Sequence, residues 1–490
     1  MTRRLFRACA VLLCCGLTAT ACAAGDEDSA RPRPAQRDSS LPAWKPTTAD
    51  VPRGKGGKLA SDVNGDGYGD VVLPVVRKGK SSLTVVYGSR KGLDLATRTV
   101  LPAPGARLTP DGPARTGDLD GDGYADLVGL FAEAVEDPAA GGGSGNTEPG
   151  KPFAPHIVWG GPGGPDPSEE PTPLAVTGPP EYFAGQPGDF DGDGHMDLAL
   201  PRADRLELRY GPFERDGSAA RTSLPWRVPS RVEGSDCCHD DIGWLTAGDA
   251  NGDAATDLVV RPSSDGEQTA GVLLLGGRPG GPYPGAEHRL PTGDLSAFGD
   301  FDGDGTGDVV VGDSGSRNNE AEDSATPGDL APLKVVYGSR SRTASTPPEV
   351  ETVPGSEALG LQLAAADLNG DGKDELITRY GTDLEAILEK DVKGVVVLNG
   401  RTGGLLGKDR RRVRITGPER HAGKAVKPID RLVSVVRAGD FGAPGSGGSG
   451  DSGELILSWS RELAPARWWI SRGGSAEDGL TFTSEQLTSR

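Results

Sequence analysis

The chain has little of what catalytic, helical or nucleic-acid-binding proteins usually carry. Of 490 residues, 5 are histidine, 2 are methionine and 6 are cysteine, and aromatics make up 5%. The histidines (His156, His195, His239, His288, His421) are scattered, and no His-Glu-x-x-His string or P-loop occurs. No Gly-x-Ser-x-Gly elbow appears with triad partners in order, so the signatures of zinc peptidases, phosphotransferases and serine hydrolases are missing. Carboxylates are too numerous for composition to exclude a glycosidase pair. The expectation is a non-catalytic chain, a hydrolase or lyase being the less favoured reading. Positive charge is also short: 52 Lys and Arg against 71 Asp and Glu leave a net charge of −19. That balance disfavours nucleic-acid backbones and favours cations.

Long apolar runs are absent beyond the first residues. Arg3, Arg4 and Arg7 precede an apolar stretch from Ala8 to Leu17, shorter than the ~20 residues a spanning helix needs. Residues 1–24 read as a secretory signal. Ala19-Thr20-Ala21-Cys22 is similar to a bacterial lipobox, with Ala19 where Leu is usual. The expectation is acylation of Cys22 and anchorage at the outer face of the cytoplasmic membrane; ordinary secretion is the alternative. Residues 25–50, rich in Asp, Arg, Pro and Ser, read as a flexible tether. After Cys22 the cysteines are Cys237 and Cys238. Adjacent cysteines in an oxidising exterior suggest a vicinal disulfide, with reduced or intermolecular thiols as the alternative. His239, Asp240 and Asp241 beside them are too few for a metal site alone.

What is abundant is glycine and proline, 75 and 40 residues. Together they make about 23% of the chain against ~12% in average usage, which argues against helical bundles. A nine-residue string recurs: Asp62–Asp70, Asp118–Asp126, Asp189–Asp197, Asp249–Asp257, Asp300–Asp308 and Asp367–Glu375. A degenerate seventh begins at Asp440 and resumes at Asp451, ending on Glu454. Starts are about 63 residues apart, longer than the ~40–50 of WD40 or kelch blades. Each string runs into a β-branched segment such as Val71-Val72-Leu73. A second run ending in glycine follows, such as Val85-Val86-Tyr87-Gly88 or Ile157-Val158-Trp159-Gly160. With a weaker third run and a lead-in such as Lys58-Leu59-Ala60, each unit holds four strands. The expected fold is all-β: residues 51–490 as a seven-bladed β-propeller of four-stranded antiparallel blades with calcium-binding A–B loops. Ring closure is expected from packing of blade 1 on blade 7, a strand swap from residues 41–57 remaining open.

The strings carry the chemistry. Positions 1, 3, 5 and 9 hold Asp, Asn or Glu, and position 6 is glycine in all but the fourth, which has Ala254. A hard divalent cation takes six to eight oxygens, and a tight loop supplies four side chains plus the carbonyl of position 7. The candidate ligands are Asp62, Asn64, Asp66, Tyr68 (carbonyl) and Asp70; Asp118, Asp120, Asp122, Tyr124 and Asp126; Asp189, Asp191, Asp193, His195 and Asp197; Asp249, Asn251, Asp253, Ala255 and Asp257; Asp300, Asp302, Asp304, Thr306 and Asp308; and Asp367, Asn369, Asp371, Lys373 and Glu375. About six structural Ca2+ ions are expected. Mg2+ suits fewer protein ligands, and metal-free Asx turns are the alternative. The loops are not EF-hands, because position 12 lacks a Glu and a strand follows.

On these strings and the Val-x-Tyr-Gly runs, the units resemble FG-GAP repeats, the blades of integrin α propellers and of bacterial surface proteins. Phe298-Gly299 and Leu359-Gly360-Leu361 are similar to the FG element, whereas the GAP element is poorly matched. The resemblance implies fold and calcium without fixing a function. The longest insertions, 132–155, 313–332 and 381–394, and the 228–243 connector fall opposite the calcium loops, where a partner is expected. The expected role is an extracellular protein–protein interaction or adhesion module, with a lectin-like module for glycans or cell wall as the alternative. Trp44, Trp226 and Trp244 are the candidate sugar platforms; Trp159, Trp459, Trp468 and Trp469 read as core. The basic run Lys408–Arg412 reads as a solvated turn.

Overall fold

The computed structural model describes residues 43–488 except 78–79, 103–113, 133–152, 176–183, 228–240, 263–268, 278–279, 283–286, 315–330, 341–348, 354–358, 381–393, 403–414, 418–419, 422–423, 428–430, 432, 443–452, 460–466 and 474–478. The signal, Cys22, the Cys237–Cys238 pair, the basic run 408–412 and most of the three long insertions lie outside the described residues.

Seven antiparallel sheets follow one another along the chain as the blades of a β-propeller. Blade 1 holds β1 (Val71–Arg77), β2 (Lys80–Tyr87) and β3 (Asp94–Pro102). Blade 2 holds β4 (Ala114–Gly117), β5 (Asp126–Ala132), β6 (Phe153–Val158) and β7 (Thr172–Pro173). Blade 3 holds β8 (Gln186–Gly188), β9 (Asp197–Arg202), β10 (Arg205–Phe213), β11 (Ala219–Thr222) and β12 (Trp226–Arg227). Blade 4 runs β13 (Ile242–Gly248), β14 (Asp257–Pro262), β15 (Thr269–Leu274) and β16 (Glu287–Gly293). Blade 5 runs β17 (Leu295–Gly299), β18 (Asp308–Gly312), β19 (Lys334–Val336) and β20 (Val350–Thr352). Blade 6 holds β21 (Leu359–Ala366), β22 (Glu375–Tyr380) and β23 (Val395–Leu398), and among the described residues its fourth-strand contact is a bridge between Val395 and Ile415. After the short hairpin β24 (Arg420–His421) and β25 (Lys424–Ala425), blade 7 runs β26 (Ser434–Gly439), β27 (Glu454–Trp459), β28 (Arg467–Arg472) and β29 (Gly479–Phe482).

Strands sandwiched between neighbouring blades read as continuous apolar runs rather than alternating ones. All of β14, β18 and β27 is buried. The core is accordingly divided among the seams. Seven hydrophobic clusters each straddle one pair of adjacent blades, including the pair formed by blades 7 and 1. Trp159, Trp459, Trp468 and Trp469 lie in these clusters, as their place in the strands implies.

One lead-in differs from expectation. Lys58-Leu59-Ala60 does not form a strand; Leu59 is 41% exposed. Its chain is held to blade 1 through Ser61, whose carbonyl accepts the Asp70 N–H at 2.9 Å. Two glycines, Gly56 and Gly57, precede it and lean on the second loop instead, with Gly57 N donating to Gly123 O at 2.8 Å. Leu59, Ala60 and Ser61 still occupy the innermost place of blade 1. Together with β4, β8, β13, β17, β21 and β26 they line a central channel of about 610 Å³.

Closure combines packing with a peripheral strap. Phe441, Trp468, Ile470 and Phe482 of blade 7 pack with Val71, Leu73 and Val75 of blade 1. Trp468 and Phe482 stack at 6.1 Å between centroids. Residues 43–50, assigned to the tether by composition, lie along blades 7 and 1. Ala43 forms a single parallel bridge to Thr481, and Trp44 N donates to Thr481 O at 2.7 Å. Arg98 of β3 sits over the Trp44 ring and donates to Thr47 O at 2.9 Å. A short helix, α1 (Ser484–Leu487), capped by Thr483, completes this edge: Gln486 Nε2 donates to Trp44 O at 3.0 Å.

Candidate metal-binding loops

Every intact string forms the turn between the innermost run of its blade and the next strand; in blades 2 to 6 position 1 follows the first strand and position 9 opens the second, whereas in blade 1 the string follows the short inner run and β1 opens one residue after Asp70. The position-1 carboxylate acts as a template for the turn. In the first loop Asp62 Oδ1 accepts from Gly65 N at 2.7 Å and Asp66 N at 3.1 Å, and Oδ2 accepts from Gly67 N at 2.7 Å. The Asp249, Asp300 and Asp367 loops repeat all three bonds. Position-5 N–H groups donate to position 3, and position-7 N–H groups donate to position 5, as in Asp122 to Asp120 (3.2 Å) and Tyr124 to Asp122 (3.1 Å). The same step places Tyr68, His195, Ala255, Thr306 and Lys373. These nested Asx turns need left-handed backbone at positions 4 and 6, where glycine is free of the Cβ penalty. Gly65 and Gly67 have φ of 69° and 94°, and Ala254 is forced to 71°.

Position 9 joins two strands rather than lying at the loop tip. Asp70 Oδ2 accepts from Val63 N and Oδ1 from Gly88 N, both at 2.8 Å. Asp126 bridges Leu119 and Gly160, Asp197 bridges Phe190 and Gly211, Asp257 bridges Ala250 and Gly276, and Asp308 bridges Phe301 and Gly338. In blades 1 to 5 the glycine ending the second run is thereby tied to the string of its own blade. Glu375 accepts from Leu368 N at 2.9 Å and from the Asn369 amide at 2.6 Å.

The loops are also linked around the ring. The position-8 N–H donates to the position-1 carbonyl of the preceding loop: Ala125 to Asp62, Thr256 to Asp189, Gly307 to Asp249, Asp374 to Asp300 and Gly453 to Asp367, at 2.6–3.2 Å. The position-2 carbonyl accepts from the next blade as well. Ser89 reaches Phe441, Gly161 reaches Val63, Phe213 reaches Leu119, Gly277 reaches Phe190, Ser339 reaches Ala250 and Arg401 reaches Phe301, at 2.8–3.3 Å. Position 2 is always apolar and buried: Val63, Leu119, Phe190, Ala250, Phe301, Leu368 and Phe441. Sequence reasoning passed over these residues; their signal was the apolar letter at a fixed place inside an acidic string.

Among the described residues three groups of three carboxylates place their oxygens within 4.8 Å of one another: Asp118, Asp120 and Asp122; Asp189, Asp191 and Asp197; Asp300, Asp302 and Asp304. The other three strings have Asn at position 3. Its amide donates to an acid instead, as Asn64 does to Asp66 at 3.1 Å and Asn251 to Asp253 at 3.0 Å. Burial pushes the position-9 acids up, Asp70 and Asp126 to about 8 and Asp197, Asp257, Asp308 and Glu375 to about 7. Burial also raises Asp62, Asp118 and Asp189. Asp118 Oδ1 is buried with no hydrogen-bond partner. Converging oxygens, an orphaned acceptor and carboxyls raised by burial are what a hard divalent cation fits.

The degenerate seventh unit differs. Glu454, in the position-9 place, accepts from Leu93 N of blade 1 at 2.8 Å and pairs with Arg472 at 3.2 Å. Here an arginine pairs with the position-9 acid itself. Of the candidate sugar platforms none is exposed: Trp44 and Trp226 pack on the seams, and Trp244 lines the channel.

Residues 62–129 match the family model of the FG-GAP-like repeat, covering the first string, the strands of blade 1 and the second string. No curated protein matches the chain. Among solved structures, the crystal structure of TcdB2-TccC3 aligns at 13% identity and a TM-score of 0.19, over 87% of this chain and 21% of that one. The chain thus spans about a fifth of that protein's length.

Proposed function

We propose that this propeller of FG-GAP-like repeats is a calcium-stabilised, non-catalytic binding scaffold displayed outside the cell. The observation that carries the calcium part is the convergence of three carboxylates at loops 2, 3 and 5, on a template of nested Asx turns. Each ion would be held by the side chains at positions 1, 3, 5 and 9 and would neutralise the charge of the converging carboxylates. The loops carry the hydrogen bonds that join neighbouring blades, so ion binding and blade packing are coupled. Sites with Kd near 10⁻⁴ M would each add ~1.4 kcal/mol at ~1 mM Ca2+. Six such sites would add ~8 kcal/mol, comparable with a domain's net stability. Melting of the purified chain in calcium and in chelator tests this: a rise in Tm with calcium is expected, and an unmoved Tm overturns it.

The sequence places the long insertions between the second and third strands of their blades, and on that ground the binding surface is proposed to lie opposite the loops. A protein partner is favoured over a glycan, because the candidate tryptophan platforms are engaged in packing or in the channel wall. Export and anchorage through Cys22 complete the reading. Cys22→Ala should abolish globomycin-sensitive processing, and unchanged processing would remove the lipid anchor.

A further inference from the structure

The acidic loops are not equivalent, and the difference lies in one hairpin of blade 3. Loops 2, 3 and 5 share Asp at positions 1, 3 and 5. In loop 2 the Oδ1 oxygens of Asp120 and Asp122 already accept backbone N–H groups. The remaining oxygens are taken by Arg215, whose Nε lies 2.7 Å from Asp120 Oδ2 and whose Nη2 lies 2.7 Å from Asp122 Oδ2. Its guanidinium rests 4.8 Å from the centroid of the Trp159 ring. In loop 3, Arg221 Nη2 lies 2.8 Å from Asp191 Oδ2, and its guanidinium rests 3.4 Å from the centroid of the Tyr210 ring. Both arginines come from the hairpin of β10 and β11, Arg215 from its turn and Arg221 from β11. Both stack on the aromatic that precedes the glycine of the second run. Loop 5 has the same acids with no ion pair among the described residues, and there Asp304 Oδ1 accepts from Thr306 N and Oγ1.

We propose that Arg215 and Arg221 are built-in competing cations that set the calcium affinity of loops 2 and 3 below that of loop 5. The inference rests on the calcium reading of the loops. A guanidinium and Ca2+ both need the outer oxygens of positions 3 and 5, and two like charges do not share them. Calcium entering loop 2 therefore displaces Arg215 from Asp120 and Asp122 and from Trp159. The hairpin that carried it loses its tie to blade 2 at that point. The seventh unit shows the limit of the same substitution, with Arg472 on Glu454. Thr172 Oγ1 donates to Arg215 O at 3.2 Å, which keeps the hairpin turn beside the loop whichever cation is present.

The test is calorimetric titration of the chelated full chain with CaCl2, comparing wild type with Arg215→Gln and Arg221→Gln. Arg215→Gln removes two partly exposed ion pairs and should tighten one calcium site about three- to thirty-fold. Arg221→Gln removes one pair and should tighten another site about two- to five-fold. Arg215→Lys keeps the charge without the planar fork and should fall between. A second readout separates competition from simple support of the fold: Arg215→Gln should lower Tm in chelator and leave it unchanged in saturating calcium. Calcium should also change Trp159 emission in wild type and not in Arg215→Gln. If calcium binds with equal affinity in wild type and both variants, this proposal fails while the calcium reading stands. If wild type takes up no calcium at millimolar concentration, both fail.

Discussion

Truncating Phe441 to alanine tests whether the ring is closed. Phe441 occupies position 2 of the degenerate seventh string, is 3% exposed and lies in the cluster that joins blades 7 and 1. Its carbonyl accepts the Ser89 N–H of blade 1 at 3.3 Å. A buried Phe→Ala change costs about 3–5 kcal/mol, from lost transfer energy and the cavity left behind. In an open ring the same side chain would sit on a wet edge, and truncation would cost under ~1 kcal/mol. Unfolding entropy near 2.1 cal/mol/K per residue gives ~0.9 kcal/mol/K for a cooperative unit of about 440 residues. The expected fall in Tm is thus about 3–5 °C, small but measurable by differential scanning calorimetry. Because no cluster of three acids surrounds Phe441 among the described residues, the fall should be equal in calcium and in chelator. A loss below 1 °C in both conditions would refute closure by packing, and a loss seen in calcium alone would refute the assignment of Phe441 to the seam rather than to an ion.

Four further outcomes follow from particular positions. Ala254 holds φ at 71° where the other intact strings have glycine, so Ala254→Gly should raise stability by about 1 kcal/mol in thermal melts; a loss would contradict the strain. Gly88→Ala would put a Cβ 2.3 Å from Gly69 O and 2.7 Å from Phe441 O, and should cost about 1–3 kcal/mol; a neutral effect would show that the closing seam has slack. In chelator, stability should fall as pH rises from about 4 to 8. The position-9 carboxyls have folded values raised to about 7–8 against unfolded values near 4, so the folded state holds protons that the unfolded state has released. Calcium should reverse this slope, and a chelated Tm that climbs across that window would count against the burial of these acids. Glycan and cell-wall arrays probed in calcium and in chelator should show no calcium-dependent capture, and capture of one sugar class would restore the lectin reading.

Much of this architecture was legible because one string recurs at a fixed place in each unit. The period and the Val-x-Tyr-Gly runs gave seven blades, and the buried tryptophans followed from their place in strands. What could not be read was how the units meet. The position-2 side chains looked like spacers between ligands, yet Leu119, Phe190 and Phe301 are seam anchors because adjacent blades bond to their carbonyls. The last residue before each string is small throughout: Ser61, Gly117, Gly188, Gly248, Gly299, Ala366 and Gly439. At Gly248 a Cβ would meet the Phe298 ring of the next blade at 2.5 Å, a constraint between residues 50 apart that no local pattern reveals. Position 9 was read only as a ligand, although its two oxygens also fasten the loop to the second run. Arg215 was invisible for a similar reason: 93 residues separate it from Asp122. The lead-in of blade 1 failed as a strand because Gly56 and Gly57 lean on the second loop, leaving a short inner run held through Ser61.

The central claim is that the strings are structural calcium sites, and the most direct test counts the ions. Equilibrium dialysis of the purified, chelator-treated full chain against ⁴⁵Ca at millimolar free calcium and neutral pH measures bound ions per chain. About six ions per chain are expected, falling by one in Asp302→Asn/Asp304→Asn and unchanged in Phe441→Ala. Fewer than one ion per chain, in protein shown by its melt to be folded, would contradict the account and leave the strings as metal-free Asx turns.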